Sequence, residues 1–70
     1  MEIAKIVGNN IKMARKAKGY TQKEMAGMLY MTQQQYSRFE NGVYELNYSQ
    51  IVKICEILDI CPNEMFGQDI

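Results

Sequence analysis

The chain has 70 residues, 47% hydrophobic and 23% charged, with eight Lys or Arg against eight Asp or Glu. A chain of this length buries only about 60% of its unfolded surface, so a single domain is expected, without a second core. No apolar run approaches the roughly 18–20 residues of a membrane span, and the Lys-containing start lacks a signal peptide's layout, so the expected location is the cytoplasm and no membrane partner is expected.

Cys55 and Cys61 are the two cysteines, and there is no His. Neither a zinc site nor a redox Cys-x-x-C pair can be built from that set, so two reduced structural thiols and no metal are expected. Without a His, a metal-ligand cluster or a Gly-rich phosphate loop, no catalytic residue, cofactor or small-molecule ligand is implied, and the chain does not read as an enzyme. The net charge of zero hides an uneven distribution. Residues 1–38 hold seven cations (Lys5, Lys12, Arg15, Lys16, Lys18, Lys23, Arg38) against Glu2 and Glu24, giving +5; residues 39–70 hold Lys53 against six carboxylates, giving −5. Such a split either presents a positive face to a phosphate backbone or makes a dipolar, solubilising surface.

In chain order, Ile3, Val7, Ile11 and Ala14 recur at spacings of four and three, which predicts a helix over about 2–18 with one buried stripe. Lys18-Gly19 supplies a basic last turn and a stop. Thr21-Gln22-Lys23-Glu24 fits a capping box, in which the Thr hydroxyl and the Glu carboxylate accept each other's backbone amides, so a second helix begins there with Met25, Ala26 and Leu29 inward. Gly27 weakens that helix by up to about 1 kcal/mol relative to Ala.

Eleven residues on, Thr32-Gln33-Gln34-Gln35 repeats the box with Gln35 as its reciprocal partner. At about 100° per residue, Tyr36, Phe39 and Glu40 fall on one side of this third helix, while Gln33, Gln34, Ser37, Arg38 and Asn41 fall on the other. Asn41-Gly42 ends it. Asn47-Tyr48-Ser49-Gln50 is a third box, opening a helix to about Leu58 with Tyr48, Ile51, Val52, Cys55 and Leu58 as its stripe. Pro62 and Glu64 then suit the first turn of a short fifth helix through Met65 and Phe66. The expected fold class is all-α, five short helices around one core.

Two helices of about eight residues joined by Tyr30-Met31, the second polar on its outer face, make a helix-turn-helix. Gln can pair with adenine N6 and N7, so outward Gln33 and Gln34 suit the reading of A·T pairs; in isolation they read as solvated surface residues. Ser37 and Arg38, one turn on, can reach guanine edges, other bases or phosphate. The amides opening both helices, with Gln22, Lys23, Asn41 and Gly42, are candidates to hold phosphates, and Arg15 is assigned to the same set.

With these residues in view, the chain resembles the lambda-repressor and Cro-type helix-turn-helix family, also called the xenobiotic-response-element type. The matching stretches are Val7-Gly8-x-x-Ile11-x-x-x-Arg15, Gly19-Tyr20-Thr21-Gln22-x-Glu24-Met25-Ala26, Thr32-Gln33-Gln34, Ser37-Arg38-Phe39-Glu40-Asn41-Gly42 and Asn63-Glu64-Met65-Phe66. The resemblance implies a compact five-helix DNA-binding domain whose third helix, at about 33–41, enters the major groove, usually as a homodimer on a two-fold operator. It implies that Gln33, Gln34, Ser37 and Arg38 face the bases, that Gln22 braces Gln33 and touches phosphate, and that Arg15 pairs with Glu40. A carboxylate among inward side chains also calls for a cation on physical grounds.

Three positions depart from the family pattern. Tyr30 stands where the family commonly has Gly, so either it adopts a left-handed conformation or the turn has another geometry. Val43-Tyr44-Glu45-Leu46 replaces a basic stretch, and Asp59 replaces a helix-ending Gly. The function implied is a sequence-specific transcriptional regulator, a repressor on double-stranded, A·T-containing operator DNA. The alternative is a protein-interaction module on the same fold, an antirepressor or antitoxin-like partner. Helix four is apolar nearly all round, so Ile54, Ile57, Ile60, Phe66 and Ile70 form either a dimer surface or part of the core.

Overall fold

In the computed structural model, which describes residues 3–67, five helices follow one another without an intervening strand among the described residues: α1 (Ile3–Lys18), α2 (Gln22–Met28), α3 (Gln33–Glu40), α4 (Tyr48–Leu58) and α5 (Pro62–Phe66). Reciprocal capping boxes start α2, α3 and α4. Thr21 Oγ1 accepts from Glu24 N–H at 3.0 Å, Thr32 Oγ1 from Gln35 N–H at 3.1 Å and Asn47 Oδ1 from Gln50 N–H at 2.8 Å, with the return bond formed in each box. Caps of this kind contribute about 0.5–2 kcal/mol each, which matters for helices too short to persist alone.

The helix ends share a device as well. Tyr20, Met31 and Val43 each donate their amide to the carbonyl five residues back, on Arg15, Ala26 and Arg38, while Gly19, Tyr30 and Gly42 donate to Lys16, Gly27 and Phe39. These are Schellman closures, which require a left-handed residue just past the helix. Tyr30 takes that role at φ +56°, the first of its two sequence-level options, and Asp59 at φ +54° ends α4. A β-carbon in that conformation costs about 1–2 kcal/mol, which the tertiary packing of α2 and α3 must offset.

α1 packs against α3, α4 and α5, while α2 packs against α3. The core comprises Val7, Ile11, Met25, Ala26, Tyr36, Ile54, Leu58 and Met65. Asn10 of α1 ties down the last helix by donating from Nδ2 to the Met65 carbonyl at 2.9 Å.

Two expectations about packing are corrected. Ile3, placed at the head of the α1 stripe, is 65% exposed and lies at the rim of a shallow cleft with Phe39, Tyr44 and Phe66. On α4 the inward face is turned from the stripe read in sequence: Ile54 and Leu58 are buried and Ile51 half-buried, whereas Tyr48 and Val52 are 89% and 58% exposed. An almost wholly apolar helix offers no unique stripe, so contacts with α1 and α5 choose its rotation. Ile54 therefore belongs to the core and not to a free dimer surface; Ile57 and Ile60 are half-buried against it, and Ile70 lies outside the described residues.

Gly8 sets how closely α1 and α3 approach. A Cβ at this position would lie 2.4 Å from the carbonyl oxygens of Phe39 and Glu40, both backbone atoms. Gly27, by contrast, faces open space. Opposite outcomes follow for one chemical change. Gly8→Ala is expected to lower stability in urea unfolding by about 1–3 kcal/mol through overpacking, while Gly27→Ala is expected to raise it by up to about 1 kcal/mol. A neutral Gly8→Ala would contradict the close approach of α1 and α3.

Candidate nucleic-acid interface

Two buried side chains fix the rotation of α3. Tyr36 is fully buried, and Glu40, one turn later, is 5% exposed. Glu40 faces Arg15 of α1, itself 7% exposed, through a two-pronged contact: Arg15 Nε donates to Oε2 at 2.6 Å and Nη2 to Oε1 at 3.2 Å. Arg15 Nη1 donates to the Tyr20 carbonyl at 2.8 Å, and Gln22 Nε2 donates to Glu40 Oε1 at 3.0 Å. One carboxylate thus connects α1, α2 and α3. The Tyr36 hydroxyl is buried near this group but meets no partner at good hydrogen-bond geometry.

Competing effects act on the Glu40 proton. Burial works to raise the carboxyl pKa, but the hydrogen bonds donated by Arg15 and Gln22, with the polar Tyr36 hydroxyl close by, hold it below its ordinary value. Glu40 in turn raises Arg15, while burial first, and Glu40 second, push Tyr36 well above the usual phenol range. Glu40 and Arg15 are therefore charged, and Tyr36 neutral, throughout the neutral range.

The opposite side of α3 is left to solvent. Gln33, Gln34 and Arg38 are exposed and Ser37 half-exposed, accepting from Asn41 Nδ2 at 3.4 Å. Gln35 is committed to the Thr32 box, so of the three consecutive glutamines one is structural and two are not. Lys23 on α2 and Asn41 after α3 are exposed, and Gly42, at φ +75°, is half-buried. Arg38 Cζ lies over the Tyr44 ring, 5.7 Å from its centroid, and Tyr44 meets Phe39 edge-on.

Two assigned residues lie elsewhere than expected. Arg15, placed in the phosphate set as well as in the ion pair, is enclosed, and each of its three nitrogens donates to Glu40 or to the Tyr20 carbonyl. Gln22 does not brace Gln33 in this structure, because its amide is turned inward to Glu40 and only its half-exposed remainder faces out. Tyr44 was missed. An aromatic two residues past the Gly42 turn is its only signal, and nothing local tells whether such a ring turns back onto the helix.

Comparison with known proteins extends this geometry. Residues 11–64 match the family described as helix-turn-helix. The chain belongs to the lambda-repressor/Cro-type helix-turn-helix family. Among its helix-turn-helix relatives is YonR of Bacillus subtilis, an SPbeta prophage-derived uncharacterized HTH-type transcriptional regulator, 36% identical over 53 residues, or 76% of this chain and 49% of YonR. YqaE of the same organism, an uncharacterized HTH-type transcriptional regulator, is 39% identical over 51 residues, 73% of this chain and 44% of YqaE. The antitoxin PezA of Streptococcus pneumoniae is 31% identical over 64 residues, 91% of this chain and 40% of PezA. The chain thus spans less than half the length of these curated relatives. In fold it is similar to ClgR, the clp gene regulator from C. glutamicum, at a TM-score of 0.86 and 20% identity, covering 93% of this chain and 83% of that one. No helix among the described residues of this helix-turn-helix chain is long and apolar enough to cross a membrane.

The Arg15–Glu40 pair makes a direct prediction. Glu40→Gln leaves a buried guanidinium without its counter-charge and is expected to cost about 3–5 kcal/mol in urea unfolding. Because the folded-state pKa of Glu40 lies below its unfolded value, its contribution is present above the ordinary carboxyl range and fades as pH falls through the folded pKa. The stability difference between wild type and Glu40→Gln should shrink in acid. A difference that stays constant down to pH values below about 3 would assign Glu40 no charge-dependent role.

Proposed function

We propose that this chain is a sequence-specific DNA-binding regulator of transcription that lays α3 in the major groove and represses by occupying promoter DNA. The observation that carries the reading is the division of α3. Tyr36 and Glu40 anchor one face, and the other presents Gln33, Gln34 and Arg38 to solvent. Eight residues at about 1.5 Å each make a rod of about 12 Å, close to the width of the B-DNA major groove. Gln33 and Gln34 are assigned to adenine edges, which favours an A·T-containing operator, and Ser37 and Arg38 to neighbouring bases. Lys23, the Asn41-Gly42 turn and the outer part of Gln22 are assigned to phosphates, with the amides at the start of α2 and α3.

A single module of this kind buries only about 600–1,000 Å² on DNA, so the reading includes a homodimer with its two α3 helices about 34 Å apart on a two-fold site. A regulator of this type acts in the cytoplasm. The relatives named as HTH-type transcriptional regulators support the reading. A second reading, an antitoxin-like module whose partner is a protein, is favoured by the similarity to PezA across 91% of the chain and by the zero net charge.

Titration of a random-sequence duplex and an A·T-rich duplex at two salt concentrations separates the two, since binding that weakens with salt is expected for the regulator and no binding even at low salt for the protein module. On a duplex chosen by selection, Gln33→Ala and Gln34→Ala should each relax preference at A·T positions by about 1–3 kcal/mol. Equal losses on every sequence would assign both glutamines to phosphate contact.

A further inference from the structure

The closure of α3 does more than end a helix. Val43 N–H donates to the Arg38 carbonyl at 2.9 Å, with Gly42 at φ +75° making the reversal. A Cβ on Gly42 would lie 2.8 Å from the Lys5 Cα, so the turn is pressed onto the α1 backbone and its path is fixed. Tyr44 follows two residues after Gly42. Its ring is braced by the half-buried Phe39, edge-on at 6.2 Å and 63°. Over the same ring lies the Arg38 guanidinium, 5.7 Å from the centroid and within the range of a cation–π contact.

Among the described residues no carboxylate pairs with Arg38. A long exposed side chain samples many rotamers, and those that point away from a base must be given up on binding. A ring engages the charge and the face of a guanidinium and leaves its in-plane N–H fork uncommitted. That fork is what reads the O6 and N7 of guanine.

We infer that Tyr44 is a positioning residue for base recognition: it holds the Arg38 guanidinium over its ring so that the N–H fork meets a guanine edge already oriented. The inference rests on the reading of α3 as the recognition helix. The stretch that replaces a basic loop thereby contributes to selectivity rather than to phosphate attraction. The contact persists in the complex, because the base takes the edge of the guanidinium and Tyr44 keeps the face.

The test uses the whole chain and a duplex selected from a random pool. Dissociation constants are measured on that duplex and on its single-base-pair variants for wild type, Arg38→Ala, Tyr44→Leu, Tyr44→Phe and the Arg38→Ala/Tyr44→Leu double variant. Arg38→Ala should flatten preference at one or two G·C pairs. Tyr44→Leu should reduce discrimination at those same pairs by about two- to fivefold, the equilibrium equivalent of an exposed cation–π contact. Tyr44→Phe should retain it, and Tyr44→Leu should have no further effect once Arg38 is Ala. In the free protein, the Arg38 side-chain proton resonances should be shielded by the ring in wild type and Tyr44→Phe and return to ordinary positions in Tyr44→Leu.

Equal weakening of all duplexes by Tyr44→Leu, or the same loss in the Arg38→Ala background, overturns the inference and makes Tyr44 a DNA contact or a fold element. If Arg38→Ala flattens a preference that Tyr44→Leu leaves intact, the inference alone fails. If the selection enriches no sequence, or Arg38→Ala alters no preference, base reading by α3 or by Arg38 fails and the inference falls with it.

Discussion

A buried arginine and a buried glutamate join the first helix to the third, and the orientation of everything outside depends on them. Arg15 and Glu40 each sit almost wholly out of water, linked by two charge-assisted hydrogen bonds. A buried pair contributes little net stability, because desolvation offsets most of the attraction. Its effect here is angular. With Glu40 and Tyr36 held inward, the helical repeat of about 100° per residue carries Gln33, Gln34 and Arg38 outward. Gly8 makes the arrangement possible by letting the α1 backbone reach the carbonyls at the end of α3.

The polar side chains of the helix-turn-helix divide into those that hold the fold and those that it leaves over. Thr21, Glu24, Thr32 and Gln35 satisfy helix starts; Gln22 and Arg15 satisfy Glu40. Each has a partner within the chain, and an external ligand would have to compete for it. Gln33, Gln34 and Lys23 have none of these internal duties, and Arg38 has only the face of an aromatic ring. Among the residues assigned to DNA, Gln33, Gln34, Lys23 and Arg38 keep their hydrogen-bonding capacity free of the fold, whereas Gln22, Ser37 and Asn41 are partly engaged within the chain. The partition also explains why Gln35, identical in type to its neighbours, is not among them.

Much of this was legible in the sequence, because it rests on short-range chemistry. Capping boxes span four residues and glycine stops only one, so Thr21, Thr32, Asn47, Gly19 and Gly42 marked helix limits within a residue or two. The inward and outward sides of α3 were legible because its polar and apolar residues differ sharply. The rotation of α4 was not, since a helix apolar on most sides has several equivalent stripes and only tertiary contact chose Ile54 over Tyr48. The inward turn of Gln22 and the return of Tyr44 onto Arg38 depend on the packing of α1, α2 and α3 together. Neither follows from spacing within one segment.

The central claim is that the outward amides of an internally anchored α3 make the contact with a duplex. The side-chain amide resonances of Gln33, Gln34 and Gln35 in the isotope-labelled chain, followed as a selected duplex is added, test it most directly. Gln33 and Gln34 should shift and gain protection from solvent exchange, while Gln35, held in its cap, should move far less. Saturation with duplex that leaves Gln33 and Gln34 at their free positions, with changes gathered instead around Tyr48 and Val52, would contradict the account.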